Sequence, residues 1–161
     1  MATTQLTLNQ TTLLGATTGT IACLLAPITG RQLLLPNVTV ADVLPPAELA
    51  PPPVGAPEWL RGHVHWRDAN VPVIAFEVVN GEAAPREYQR IAILNGITGN
   101  AALTCYGVLV QAPPRTAKVK IAELEDLENA PVGPVEFLQV RYAGELAVIP
   151  DLDALEARLA S

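Results

Sequence analysis

The stretch Trp59–Val79, WLRGHVHWRDANVPVIAFEVV, leaves this chain few choices of fold. It predicts a short helical turn, a strand over Gly62–Arg67, a tight turn through Asp68-Ala69-Asn70 and a second strand from Val71. His63, His65 and Arg67 alternate with Val64 and Trp66, so the first strand has one polar and one apolar face. In the second, Val71, Val73 and Ala75 take one side, and Ile74, Phe76 and Val78 the other. Pro72 has no N–H to donate, which predicts a strand start or a free edge there.

Short strands with Gly or Asn turns recur on either side of this hairpin. Ile21–Pro27 and Arg31–Leu35 form a hairpin around Thr29-Gly30, and Asn37 is placed to cap one helical turn over Val38–Val43. Six prolines between Pro45 and Pro57 predict a stiff, extended surface connection rather than a domain boundary. Asn80–Gln89 is a polar loop, Arg90–Leu94 a strand, Asn95–Asn100 a turn, and Ala101–Ala112 a longer strand closed by Pro113-Pro114. Ala117–Ile121 alternates lysines with apolar residues, as an edge strand does, and Glu123–Glu128 reads as a solvated acidic turn. Phe137–Tyr142 and Leu146–Ile149 make a last hairpin around Ala143-Gly144. Asp151–Leu159 is the clearest helix, with Pro150 before it, Asp153 and Glu156 at capping-box spacing, and Leu152, Leu155 and Leu159 in one stripe.

This pattern predicts a mainly β domain over residues 21–161, a barrel or sandwich flanked by a small helix. Residues 1–20 hold eight threonines and form a loose arm, in which Leu6 and Leu8 alternate as an edge strand would. At 161 residues the chain can hide roughly 70% of its unfolded surface, so it needs no staples. Aromatics are only 4% of the composition, which makes the core aliphatic. The net charge of −6 argues against nucleic acid, and no basic run suggests an anionic membrane. Cys23 and Cys105 lie inside apolar runs and read as buried thiols, with a disulfide as the lesser reading. The first cation is Arg31, so no basic leader opens the chain, and a cytoplasmic protein is expected.

The inventory for catalysis is thin. The one serine is Ser161, and Gly15 and Gly19 are not followed by the Lys-Ser/Thr of a phosphate loop. His63 and His65 point to the same side of a strand and could ligate a metal, but a third ligand would have to be a distant carboxylate or thiol. A Cys105–His nucleophile and base is the corresponding catalytic reading.

The order of landmarks from Cys23 to Leu159 resembles the CheW family, the coupling proteins of bacterial chemosensory arrays. Strand, Gly turn and strand are followed by Val40-Ala41-Asp42-Val43 where the family has V-x-E-V, and then by the proline linker. Gly62, Arg67, Pro72 and Val73 match the family's G-x-x-x-x-R-G-x-x-x-P-V core, with Asp68 in place of its second glycine. Tyr106-Gly107-Val108 matches a later strand, and Ile149-Pro150-Asp151-Leu152 with Leu155 matches the closing hairpin and helix. PEWLRGHVHWR and IPDLDALEARL look most like the ChpC-type members of type IV pilus (twitching) systems.

The resemblance implies two small SH3-like β-barrel lobes sharing an aliphatic core, without catalysis or cofactor. It implies an adaptor joining the cytoplasmic tip of a methyl-accepting chemoreceptor to the regulatory domain of a CheA-type histidine kinase. Val40, Asp42 and Arg67 would then face the receptor, Val40 giving apolar contact and the two charges setting register. Gly62, Pro72, Tyr106, Gly107 and Asp151 would belong to the structural motif. The residues by themselves leave plainer roles open: Val40 as core, Asp42 as turn surface and Arg67 as a solvated charge. They also leave open a small-ligand- or metal-binding barrel, or a minor enzyme, built on His63 and His65.

Overall fold

The runs IACLLAPI, IAIL and YGVLV are almost continuously apolar because their strands are buried on both faces. The computed structural model of the chain describes residues 19–99, 103–127 and 132–160. Within them the strands are β1 (Thr20–Ile28), β2 (Arg31–Pro36), β3 (Val40–Leu44), β4 (Leu60–Trp66), β5 (Ala69–Ile74), β6 (Arg90–Asn95), β7 (Cys105–Val110), β8 (Arg115–Lys120), β9 (Glu125–Asp126), β10 (Glu136–Tyr142) and β11 (Glu145–Pro150). Two helices, α1 (Phe76–Val79) and α2 (Leu152–Ala160), follow β5 and β11. One sheet runs β8-β1-β2-β11-β10-β9 and the other β3-β6-β7-β5-β4. All pairs are antiparallel except the short parallel contacts β2–β11 and β5–β7.

Each sheet wraps a core of its own, and the two share a third. On β1, Ile21, Cys23 and Leu25 pack with Leu34, Val119, Val140 and Ile149 inside the six-stranded sheet. The alternate residues Leu24, Ala26 and Ile28 face the shared core. On β6, Ile91 and Ile93 join Val71, Val73 and Leu109 inside the five-stranded sheet, while Ala92 and Leu94 face the shared core. Phe76, Tyr106, Leu152 and Leu155 fill the shared core. The expected mainly β architecture of two lobes on an aliphatic core, with a C-terminal helix, is the observed one.

Several boundaries differ from the sequence expectation. The central hairpin turns on Arg67 and Asp68 alone, so β4 ends at Trp66 and β5 begins at Ala69. β5 ends at Ile74 rather than running on through Val79. There Phe76 and Val79, three residues apart, turn into the shared core as one helical face. Pro72 is neither strand start nor edge. Pairs alternate outward from the two-residue turn, which puts His63–Pro72 at a position where β4 and β5 exchange no hydrogen bonds. The parallel pairing with β7 begins one residue later, at Val73, so no ladder needs the missing N–H.

The helical turn expected over Val38–Val43 is a three-residue 3-10 turn, Asn37–Thr39, followed directly by β3. Asn37 makes no capping bond; the Thr39 hydroxyl donates to the Pro36 carbonyl instead, at 2.7 Å. Of the arm expected over 1–20, residues 1–18 with Leu6 and Leu8 lie outside the described residues, while Thr20 opens β1 opposite Lys120.

The proline-rich segment is more than a spacer. Ala50 exchanges two backbone hydrogen bonds of 2.9 Å with His63, and Leu49 packs on the five-stranded sheet's core. The Tyr88 hydroxyl donates to the Ala47 carbonyl at 2.5 Å. The segment thereby covers the edge of β4, which would otherwise stay open to another chain. Gly62 makes this docking possible. It sits at φ +145°, and a Cβ there would lie 2.5 Å from the Ala50 carbonyl oxygen.

Two polar clusters tie the lobes together. Glu156, on the inner face of α2, accepts hydrogen bonds from the Ile97 and Thr98 amides, the Thr98 hydroxyl and the Tyr106 hydroxyl, at 2.9–3.2 Å. The expected capping box therefore does not involve it; Asp151 caps α2, accepting from the Ala154 amide at 3.0 Å. At the other cluster, Arg31 on β2 forks onto Glu82 at 2.6 and 2.9 Å and reaches Glu136 at 3.2 Å. Asn80 links the same Glu136 to the segment after α1, at 2.6 Å.

Candidate functional site

β3 and β4 are the two edges of the five-stranded sheet, and they meet through one side chain. The Trp66 indole N–H donates to Asp42 Oδ2 at 2.9 Å, across 24 residues of sequence. The other carboxylate oxygen, Oδ1, accepts from the Val43 amide at 2.8 Å. The Trp66 ring also carries the Arg67 guanidinium, whose Cζ lies 4.6 Å from the ring centroid. Trp66 is partly buried against the cluster of Val71, Val73, Ile91, Ile93 and Leu109, which steadies the ring on which the guanidinium rests.

The hairpin turn explains why Arg67 is presented here. Arg67 and Asp68 both have left-handed backbones, φ +47° and +62°, as a two-residue turn requires to match the strand twist. Glycine is the usual occupant, and a non-glycine residue in this conformation costs roughly 1–2 kcal/mol. Both side chains are exposed. Among the described residues, neither Asp42 nor Asp68 forms an ion pair with Arg67. The guanidinium is held by the ring instead, an attraction of about 0.5–1 kcal/mol at an exposed site.

Val40 opens β3 opposite Leu94, half-buried against the shared core, and a bulge separates it from Asp42. The adjoining Val38 is 74% exposed, so the 3-10 turn before β3 offers an apolar side chain to solvent. The structure thus joins Asp42 and Arg67 through Trp66 and sets Val40 earlier on the same edge strand. Trp66 escaped the sequence reading, which treated it as one apolar residue of a strand face. The available clue was scarcity: the chain has two tryptophans, and this one directly precedes the motif arginine.

The other sequence candidates take separate places. Gly107 lies at the core of the five-stranded sheet, where a Cβ would come within 2.8 Å of Ile91. Tyr106 is fully buried; burial, and then the neighbouring Glu156 charge, push its hydroxyl well above its ordinary pKa. His63 is half-buried and tied to Ala50 through its backbone, and His65 is exposed. Among the described residues, no three His, Cys, Asp or Glu side chains converge as a metal site would need. Cys23 and Cys105 are both free thiols; burial pushes Cys23 up to about 11, and Cys105 is half-buried at the start of β7. No helix among the described residues is long and apolar enough to cross a membrane.

Comparison with known proteins follows the same outline. Residues 22–159 match the family model described as the CheW-like domain. Comparison with curated protein sequences gives no match. Among solved structures, the fold is similar to the crystal structure of the scaffolding protein TtCheW from Thermoanaerobacter tengcongensis, with a TM-score of 0.66. The two chains are 17% identical, over 82% of this chain and 89% of that one, a likeness of fold.

Proposed function

The chain belongs to the CheW-like domain family, and from that premise we propose that it is a non-enzymatic adaptor coupling a chemoreceptor to a CheA-type histidine kinase. Its partners are the cytoplasmic tip of a methyl-accepting chemoreceptor and the regulatory domain of the kinase, which puts it in the cytoplasm. PEWLRGHVHWR and IPDLDALEARL support a pathway that controls type IV pili and twitching motility. Residues 21–161 act as one CheW-like domain.

One observation carries the reading: β3 and β4 close on Trp66, so that Asp42 and Arg67 share one patch of surface. Val40, Asp42 and Arg67 form the receptor face, and Arg67 is its exposed charge. A helical hairpin laid along this seam meets a fixed guanidinium rather than a freely waving one, which lowers the entropy cost of docking.

Arg67→Ala tests this directly. Alanine inherits the same left-handed backbone, so the fold loses only the ring contact, less than about 1 kcal/mol. Affinity for a receptor-tip hairpin should fall by about ten- to a hundredfold, equivalent to roughly 1.5–3 kcal/mol. Affinity for the kinase regulatory domain should not change. Asp68→Gly serves as the control: it relieves the turn and should stabilise by about 0.5–1 kcal/mol with receptor binding intact. Calorimetric titration that finds Arg67→Ala equal to the parent for receptor would remove Arg67 from the contact.

A further inference from the structure

We infer that Trp66 is the positioning residue of this face, holding Arg67 to grip an acidic side chain of the receptor while Asp42 acts as an internal acceptor. The inference rests on the adaptor reading above and divides the roles within its receptor face.

Both carboxylate oxygens of Asp42 already accept a hydrogen bond within the chain, which leaves it less free than Arg67 to serve as the principal contact. One oxygen takes the indole N–H at 2.9 Å and the other the Val43 amide at 2.8 Å. Arg67 is in the opposite condition. It is exposed and, among the described residues, without a carboxylate partner, although Asp68 is its neighbour in the turn. Its guanidinium rests on the indole at 4.6 Å. A guanidinium held over a ring by cation–π attraction spends no hydrogen bond on a carboxylate there, so N–H donors remain for a partner. A planar fork of donors matches a carboxylate in bidentate geometry, so the complementary group is an Asp or Glu side chain. The indole is fixed at one end by the core and at the other by Asp42, so Asp42 acts on the partner through Trp66.

The test titrates the full chain and its variants against a soluble receptor-tip hairpin, and in parallel against the kinase regulatory domain. Trp66→Phe keeps a ring but loses the N–H; Trp66→Leu loses both. Receptor affinity should fall in the order parent, Phe, Leu, with Trp66→Leu at least tenfold weaker. Kinase affinity should stay within twofold for both, which separates positioning from a general loss of fold. Trp66→Leu and Arg67→Ala combined should be little weaker than Arg67→Ala alone, since each removes the same contact. Arg67→Lys, which keeps the charge without the fork, should lose most of the receptor affinity. Asp42→Asn removes a charge but keeps an acceptor for the indole, so it should cost less than Trp66→Leu.

Asp42→Asn as damaging as Arg67→Ala would make Asp42 a direct contact and overturn the inference. So would Trp66 variants that bind receptor as the parent does, or an Arg67→Lys variant with full affinity. A parent chain that binds no receptor hairpin would instead overturn the adaptor reading itself.

Discussion

Glu156→Ala is expected to lower the unfolding free energy by about 3–5 kcal/mol, the sum of lost charge-assisted hydrogen bonds and of donors left without acceptors. Glu156 is 1% exposed and takes four donors: two backbone amides, Thr98 Oγ1 and the Tyr106 hydroxyl. Alanine leaves the buried Tyr106 hydroxyl without its acceptor, while the Ile97 and Thr98 donors lie nearer the surface and can turn to water, which sets the effect toward the lower end of that range. Glutamine fills the same space but turns two donors of its own toward them, so Glu156→Gln should cost roughly 1–3 kcal/mol. Tyr106→Phe removes one of the four donors and should cost less than about 1.5 kcal/mol. Urea unfolding measures each loss, and hydrogen exchange at the Ile97 and Thr98 amides should quicken in the alanine variant before the rest of the sheet opens. An alanine variant within about 0.5 kcal/mol of the parent would show that Glu156 does not anchor α2.

Arg31→Ala is expected to cost about 2–4 kcal/mol, because it leaves the buried Glu136 carboxylate without its charge partner and breaks the fork onto the more exposed Glu82. Glu136 has a side chain only 3% exposed, while Arg31 itself is 17% exposed, which places the effect below that of a fully buried pair. Arg31→Lys should recover only part, since an ammonium cannot fork onto Glu82. The cluster also sets a pH dependence. The hydrogen bond from Arg31 holds the Glu82 carboxyl below its ordinary pKa, against a smaller opposing effect of burial. A carboxyl lowered in the folded state contributes stability that is complete above its unfolded pKa and lost as pH falls through the folded one. The parent should therefore lose stability in the acid range, and the Arg31→Ala variant should lose less of it over the same interval. Parallel acid profiles for the two proteins would contradict this assignment.

Much of the fold was legible because it follows local rules. The hairpins around Thr29-Gly30 and Ala143-Gly144, the edge strand with Lys118 and Lys120, and the terminal helix all follow from alternation, turn residues and a leucine stripe. The misreadings share one cause: contacts between distant residues outweighed local preference. IAFEVV has strand propensity, yet Phe76 and Val79 reach the shared core only as a helical turn, and Glu77 is fixed by Thr29, 48 residues away. Glu156 has the spacing of a cap but meets Ile97 and Tyr106 across the lobe junction. Pro51-Pro52-Pro53 predicts a stiff segment, while nothing local announces that Ala50 pairs with His63.

The candidate site was partly legible for the same reason. Asp42 and Arg67 were picked out by family resemblance, each on its own strand. Their connection depends on curvature that brings both edges of a five-stranded sheet onto one indole, and no window of sequence contains it. The strain at Arg67 and Asp68 was hidden as well. Only the two-residue register forces both into the left-handed region, whereas a turn over Asp68-Ala69-Asn70 would have spared Arg67.

The central claim is that the chain links two proteins, and a three-component binding experiment tests it most directly. A receptor-tip hairpin and a CheA-type regulatory domain are passed together over a sizing column, with and without this protein at micromolar concentration. The account predicts that all three elute as one complex when the protein is present, and that Arg67→Ala releases the receptor hairpin while keeping the kinase domain. A protein that elutes apart from both fragments, or that binds one only by excluding the other, would contradict it.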